Sequence, residues 1–170
     1  DDFAWLEENK VYYKGKKFAN GLENILYHCP VCNSEFTLEM NDHDITCTKC
    51  HVKINLDNYY QFNSDNPKVP KNIRDWYLLQ KDLASKAIKD LHFKMESKTV
   101  FKLPDPKGKG FKTVGEGKVI LDKTGLKYVG TNDNQPFEKF FELHSVPVIL
   151  FGAGVDIEFY SDNTIYFFEL

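Results

Sequence analysis

The sequence predicts an α+β fold, in which a cysteine-bearing segment, one amphipathic helix and an antiparallel β module follow one another along the chain. Three observations predict it. All four cysteines lie in residues 1–66, and apolar residues recur at helical spacing within residues 67–94. Short β-branched and aromatic runs, separated by Gly and Asn turns, fill residues 95–170. We therefore expect three consecutive parts at 1–66, 67–94 and 95–170.

Charge and hydropathy restrict the function. The 170 residues contain 22 Lys and Arg against 25 Asp and Glu, a formal net charge of −3 that disfavours a dedicated nucleic-acid binder. No run of 18 apolar residues and no signal peptide is visible, so we predict a cytoplasmic location. The chain starts without Met and stops inside a strand-like run, so we interpret it as a fragment whose last module could be truncated.

The helix is predicted over residues 72–92. Asn72 is placed to cap its N-terminus, and Asp75 lies in the first turn. A stripe of apolar residues at helical spacing follows, and we expect it to face a buried core. Its members are Ile73, Trp76, Tyr77, Leu83, Ala84, Ala87, Ile88 and Leu91.

The β module is predicted from alternation and turn residues. One hairpin is expected around Gly125 and another around residues 161–163. The candidate strands are 118–121, 126–129, 137–143, 146–151, 155–160 and 164–168. Short strands with close turns favour an antiparallel sandwich or a small barrel.

The four cysteines form two C-x2-C pairs, Cys29 with Cys32 and Cys47 with Cys50, separated by 14 residues. Two such turns joined by a hairpin can gather four sulfurs around one Zn²⁺ in a tetrahedron. The alternating segments on either side of a turn at residues 41–43 supply that hairpin. The spacing therefore predicts a zinc ribbon near residues 17–60, with a structural metal because no ligand position stays open.

Other interpretations of the cysteines are disulfides, which need an oxidising compartment, or a redox pair, which needs one C-x-x-C at a βα junction. Three histidines lie near the pairs in sequence: His28, His43 and His51. Since four cysteines suffice, we expect these histidines to be solvated or to lie beside the metal ligands without binding the ion.

Motifs for catalysis are absent from the sequence. No histidine begins H-x4-D or H-E-x-x-H, and no G-x-S-x-G, G-x-G-x-x-G or Walker motif occurs. Gly108, Gly110, Gly115 and Gly117 are expected in a lysine-rich loop rather than in a phosphate-binding turn. We therefore predict no catalytic and no cofactor-binding residue, and no enzymatic activity of this chain alone.

The segment Phe18–Cys32, with its Gly-Leu-Glu and Leu-Tyr before the first cysteine pair, resembles a known family. It is similar to the region after the catalytic domain in long Gram-positive bacterial acyltransferases of the 1-acyl-sn-glycerol-3-phosphate acyltransferase type. The likeness continues through Ile73–Tyr77 and the β-rich end, and departs at His51, where Gly is common. The resemblance implies an upstream acyltransferase domain carrying H-x4-D. It also implies a pleckstrin-homology-like module, a curved sheet usually closed by a C-terminal helix.

The first functional hypothesis is therefore a non-catalytic accessory region of a phospholipid or glycerol acyltransferase, with the upstream domain as its partner. Lysines around Phe101 and Phe111 suggest docking on an anionic membrane, and a solvated loop is the plain alternative. These lysines are Lys98, Lys102, Lys107, Lys109, Lys112 and Lys118.

Two further hypotheses stay open. A zinc ribbon can bind nucleic acid, but four acidic residues on this hairpin repel phosphate. They are Glu35, Glu39, Asp42 and Asp44. Alternatively, the ribbon and the helix carrying Trp76 and Tyr77 form a scaffold for protein interaction.

Overall fold

A computed structural model of the protein describes residues 2–146 and 148–170. These residues form two α-helices and eleven strands arranged in two antiparallel sheets. The chain divides into two compact units, one ending at Lys86 and the other beginning at Ala87, each with a core of its own. The mixed composition of helix and antiparallel sheet confirms the coarse fold prediction.

The first unit holds a four-stranded antiparallel sheet in sequence order. A short helix, α1 (Asp2–Asn9), precedes it. The strands are β1 (Leu38–Asn41), β2 (Asp44–Cys47), β3 (Lys53–Leu56) and β4 (Phe62–Asn63). Asn41 pairs with Asp44, so residues 42 and 43 form a two-residue hairpin loop in which Asp42 has a φ of 53°. The hairpin required between the two cysteine pairs is therefore present.

Helix α2 (Ile73–Ala87) begins where the sequence predicts and ends five residues earlier than expected. The Asn72 side-chain oxygen accepts the Asp75 backbone N–H at 2.9 Å, which confirms the cap. Trp76 is fully buried, its ring lies 5.1 Å from that of Phe62, and its indole N–H donates to the His28 carbonyl at 2.9 Å. Trp76 thus fastens the start of α2 to the first unit's core.

The prediction that the whole apolar stripe is buried is wrong after the first turn of α2. Tyr77 is about half exposed, and the buried position in the second turn belongs to the polar Gln80. Beyond the end of α2, Ile88 is about half exposed and Leu91 is 84% exposed. Size explains the exposure at the far end of the stripe. Strands of at most four residues reach about 13 Å, whereas fifteen helical residues span about 22 Å. This sheet cannot cover the full helix.

The second unit holds a seven-stranded antiparallel sheet in the order β8-β7-β6-β5-β11-β10-β9. The first four strands of this unit are paired as consecutive hairpins, and so are the last three. The first strand of the unit pairs with the last, which joins the two sets into one sheet. The strands are β5 (Lys94–Pro104), β6 (Phe111–Asp122), β7 (Gly125–Asn132), β8 (Gln135–Glu142), β9 (Ile149–Gly152), β10 (Asp156–Ser161) and β11 (Thr164–Glu169). The hairpins predicted at Gly125 and at 161–163 are confirmed, and Pro147 of the predicted strand 146–151 lies outside the described residues.

This sheet curls upon itself without closing. Phe141 of β8 and Phe159 of β10 are five strand positions apart, which is about 24 Å in a flat sheet. Their ring centroids nevertheless lie 4.9 Å apart. The edge strands β8 and β9 are not paired with each other within the described residues. The predicted sandwich or closed barrel is therefore replaced by one bent sheet around an aromatic core.

The lysine-rich stretch is mostly strand rather than loop. Lys98 and Lys102 lie on β5, and Gly115 and Gly117 lie within β6. A Cβ at Gly115 would stand 1.8 Å from the Thr131 carbonyl oxygen, so this position needs glycine for close strand approach. The loop itself is confined to residues 105–110.

Candidate metal centre

The four cysteine sulfurs come together in the first unit. All four lie within 4.8 Å of one another, and together they could hold a metal ion. Sγ–Sγ distances are 3.8 Å between Cys29 and Cys50 and 3.8 Å between Cys32 and Cys47. A tetrahedral ion with metal–sulfur bonds of about 2.3 Å requires edges of about 3.8 Å. A disulfide needs about 2.05 Å, so the cysteines are not bonded to each other.

The first cysteine loop (Cys29–Cys32) and the second (Cys47–Cys50) are built alike. The Asn33 N–H donates to the Cys29 carbonyl at 3.0 Å, and the His51 N–H donates to the Cys47 carbonyl at 2.9 Å. Both donor residues have a left-handed backbone conformation, with φ of 58° at Asn33 and 60° at His51. Left-handed backbone favours glycine, so a glycine would fit the position of His51 with less strain.

The likeness of the two loops extends one residue further. The Cys29 N–H donates to the Ser34 carbonyl at 2.9 Å, and the Cys47 N–H donates to the Val52 carbonyl at 3.1 Å. Ser34 and Val52 therefore occupy equivalent positions in the two loops. Their side chains differ, because only Ser34 brings a hydroxyl group.

Hydroxyl groups contact two of the sulfurs. Ser34 Oγ lies 2.9 Å from Cys32 Sγ, and Thr37 Oγ1 lies 3.4 Å from Cys47 Sγ. The two oxygens are 2.7 Å apart. Sequence reasoning missed both residues. Ser34 could have been noticed as a hydroxyl next to the first cysteine loop, whereas Thr37 reaches Cys47 only because β1 pairs with β2.

Burial and hydrogen bonding divide the thiols into two pairs. Desolvation raises the pKa of Cys29 to about 12 and also raises the pKa of Cys50. At Cys47 desolvation opposes the hydrogen bonds from Thr37 and the backbone, which prevail and lower the pKa to about 5. The Ser34 hydroxyl lowers the pKa of Cys32. A cation at the centre would favour the thiolate form of all four.

The nearby histidines stand outside the cluster. His51 is exposed, as expected. His28 is buried, and His43 packs edge-on against Phe18 with its Nδ1 2.8 Å from the Leu56 carbonyl oxygen. Of the two placements expected, solvated or beside the metal ligands, solvation is wrong for His28 and His43, because both pack within the first unit.

The lysines predicted to dock on a membrane differ in whether a carboxylate neighbours them. Of the six lysines predicted to dock on a membrane, three have a carboxylate within 4 Å: Lys102 with Glu169, Lys112 with Asp133 and Lys118 with Glu96. Lys107 and Lys109 are exposed in the β5–β6 loop and have no ion pair among the described residues. Phe101 is 1% exposed and cannot insert into a membrane, whereas Phe111 is 37% exposed.

Comparison with known proteins assigns no relative. No family model matches the chain, and no curated protein or solved structure shows significant similarity to it. Among the described residues, no helix is both long and apolar enough to cross a membrane.

Proposed function

We propose that this chain is a zinc-binding, non-catalytic accessory region, in which Cys29, Cys32, Cys47 and Cys50 hold a structural Zn²⁺ as a zinc ribbon. The observation that carries the proposal is the pair of 3.8 Å sulfur–sulfur distances, which equal the edges of a zinc–thiolate tetrahedron. Four sulfurs fill the coordination sphere of zinc. The ion therefore holds the fold together and offers no open position for water or substrate.

Elemental analysis of the untagged protein tests the zinc assignment. We expect one zinc per chain, and a Cys47→Ser variant should lose it. Thr48→Ser is the matched control, because Thr48 lies in the same loop and its hydroxyl donates to the Thr37 carbonyl at 3.2 Å instead of to a sulfur. Absence of stoichiometric metal would overturn the proposal, and stoichiometric iron would overturn the identity of the ion.

The accessory role rests on the resemblance to the region after an acyltransferase domain. It is supported by the closed ligand set and by the lack of H-x4-D in the sequence. We expect no acyl transfer to 1-acyl-sn-glycerol-3-phosphate from acyl-coenzyme A by this chain alone. Turnover that survives removal of contaminating protein would contradict a non-catalytic role.

For the second unit we propose a pleckstrin-homology-like docking module in the cytoplasm that meets an anionic membrane surface. Support comes from a curved antiparallel sheet and from Lys107 and Lys109, whose charges are exposed in the β5–β6 loop close to Phe111. Each such lysine contributes about 1 kcal/mol at an anionic bilayer. Lys102, Lys112 and Lys118 contribute less, because carboxylates already neutralise them.

Co-sedimentation with vesicles tests this docking. The protein should bind phosphatidylglycerol vesicles in a salt-sensitive manner and ignore phosphatidylcholine, and changing Lys107 and Lys109 to Glu should abolish binding. The chain offers a matched control, since Lys14 and Lys16 also flank a glycine and are exposed. Equal loss in the Lys14 and Lys16 to Glu variant would indicate a general charge effect and reject this loop.

A scaffold role is the second candidate, favoured by the exposed apolar side of α2. Tyr77, Leu78 and Leu79 are 36–50% exposed. Light scattering of the protein alone, and mixed with the upstream domain, should then show an assembly that Leu78→Asp weakens. A monomer under both conditions would remove this candidate. Nucleic-acid binding stays disfavoured, because the acidic side chains of the cysteine hairpin are exposed.

A further inference from the structure

The two cysteine loops share their backbone and differ in one chemical respect. Cys32 and Cys50 are the two partly exposed sulfurs, and Cys29 and Cys47 are fully buried. Ser34 offers a hydroxyl to Cys32 at 2.9 Å, whereas the equivalent residue for Cys50 is the aliphatic Val52. The accessible sulfurs therefore have the same backbone environment but unequal hydrogen bonding.

The protons of the two hydroxyl groups can be counted. Ser34 and Thr37 each carry one hydroxyl proton, and zinc-bound thiolates carry none. The 2.7 Å contact between Ser34 and Thr37 uses one of the two protons. The other is directed to a sulfur, either from Ser34 to Cys32 at 2.9 Å or from Thr37 to Cys47 at 3.4 Å. Each arrangement serves one of these two ligands, and neither serves Cys50.

We propose that Ser34 and Thr37 are positioning residues that make the metal centre electronically unequal, leaving Cys50 as its most reactive accessible ligand. This inference rests on the proposed zinc site. A hydrogen bond stabilises negative charge on the sulfur that accepts it and so weakens its attack on an electrophile. Cys32 and Cys47 share this protection. Of the two remaining ligands, burial shields Cys29, so soft electrophiles reach Cys50 first.

Timed alkylation of the zinc-loaded protein with iodoacetamide tests the order in which the cysteines react. In this step the Cys50 Sγ bonds to the methylene carbon, iodide leaves with the electron pair of the carbon–iodine bond, and no proton moves. Peptide mass spectrometry should find Cys50 modified roughly tenfold faster than Cys32, the ratio expected for one hydrogen bond to a charged group. Equal rates, or faster reaction of Cys32, would overturn the proposal.

Two variants should reduce or reverse the difference in alkylation rate between Cys32 and Cys50. Ser34→Ala removes the hydroxyl from the first loop, so Cys32 should react nearly as fast as Cys50. Val52→Thr places a hydroxyl at the equivalent point of the second loop, so Cys50 should slow. Thr48→Val is the control, because its hydroxyl bonds to the Thr37 carbonyl, and the order should persist. An unchanged order in both loop variants contradicts the proposal.

A spectroscopic measurement covers the case in which a variant is less stable. Cobalt(II) replaces zinc in such sites, and its thiolate charge-transfer band reports the electron density of the sulfurs. Ser34→Ala and Thr37→Val should move this band to longer wavelength and weaken metal affinity about 10–100-fold. An unmoved band at full occupancy would reject the hydroxyl effect while leaving the metal site intact. Failure to bind any metal would instead reject the proposed function itself.

Discussion

The two units hold their structure by different means. The first unit has strands of two to four residues and seven buried hydrophobic core residues, with four cysteine sulfurs gathered at one place. The second has strands of up to twelve residues around a core dominated by aromatic rings, and its strands hold no cysteine. The comparison teaches that the larger sheet relies on buried aromatic surface, whereas the smaller one gathers the four sulfurs at which we propose a metal ion.

Removal of the metal should produce the largest effect. A structural Zn²⁺ contributes on the order of 10–16 kcal/mol, comparable with the stability of a whole domain. We expect a chelator to unfold the first unit while the second keeps its structure. Hydrogen exchange read peptide by peptide should show lost protection in residues 26–63 and retained protection in residues 94–142. Protection that persists in the first unit would mean that its hydrophobic core suffices alone.

Truncation of the aromatic core is the next largest change. Phe168 is fully buried, with its ring 5.3 Å from Phe101 and 5.4 Å from Tyr128. Phe168→Ala should cost about 3–5 kcal/mol of unfolding free energy in the second unit without altering metal content. Denaturant melts combined with elemental analysis check both statements. Phe140→Ala is the control, since Phe140 is 45% exposed and should change stability by less than about 1 kcal/mol.

The sequence predicts the cysteine cluster and misplaces several supporting features, for physical reasons. The two cysteine pairs, the hairpin between them and the Asn72 cap depend on local spacing, so all are readable from the chain. The sequence analysis does not predict strand β5, because its inward residues Thr99 and Phe101 are flanked by Lys98 and Lys102, which resemble a lysine-rich loop. The need for glycine at position 115 depends on Thr131 of a neighbouring strand, which no local pattern contains.

The exposed residues of the predicted helical stripe show that burial is harder to predict. Periodicity shows that Tyr77 and Ile88 share a stripe, but it does not show how long the opposing sheet is. The amount of helix that is covered depends on strand length elsewhere in the chain. Burial is therefore a property of the partner surface as much as of the helix.

A smaller effect is expected at the second cysteine loop. His51 is exposed and left-handed, with a φ of 60°. His51→Gly should stabilise the zinc-loaded first unit by about 0.5–1 kcal/mol, because relief of the backbone conformation exceeds the added chain entropy. Thermal unfolding measures it. His92→Gly, at an exposed residue without positive φ, should destabilise instead, and stabilisation by both changes would refute the backbone explanation.

The smallest effect concerns pH and the turn between β6 and β7. The hydroxyl of Thr124 at 2.6 Å and its backbone N–H at 2.7 Å lower the pKa of Asp122. A carboxyl with a lowered folded pKa adds stability above its unfolded pKa, and this stability disappears as pH falls through the folded value. Asp122→Asn should therefore lower the free energy of unfolding slightly at neutral pH and leave it unchanged in strong acid.

Unfolding midpoints measured across the acid range check this prediction. Asp65→Asn is the control, because Asp65 is exposed and accepts no hydrogen bond among the described residues. A cost of Asp122→Asn that stays constant from neutral to strongly acidic pH would show that the turn depends on shape rather than on charge.

The repeated backbone of the two cysteine loops has a consequence for how the first unit assembles. Each loop is closed by its own hydrogen bond, Asn33 to Cys29 in one and His51 to Cys47 in the other. The ion that we propose would therefore meet two preformed cysteine loops rather than four independent side chains. Only one long-range contact has to form during folding, between the first cysteine loop before β1 and the second cysteine loop at the end of β2. The β1–β2 hairpin keeps the chain between the two loops short.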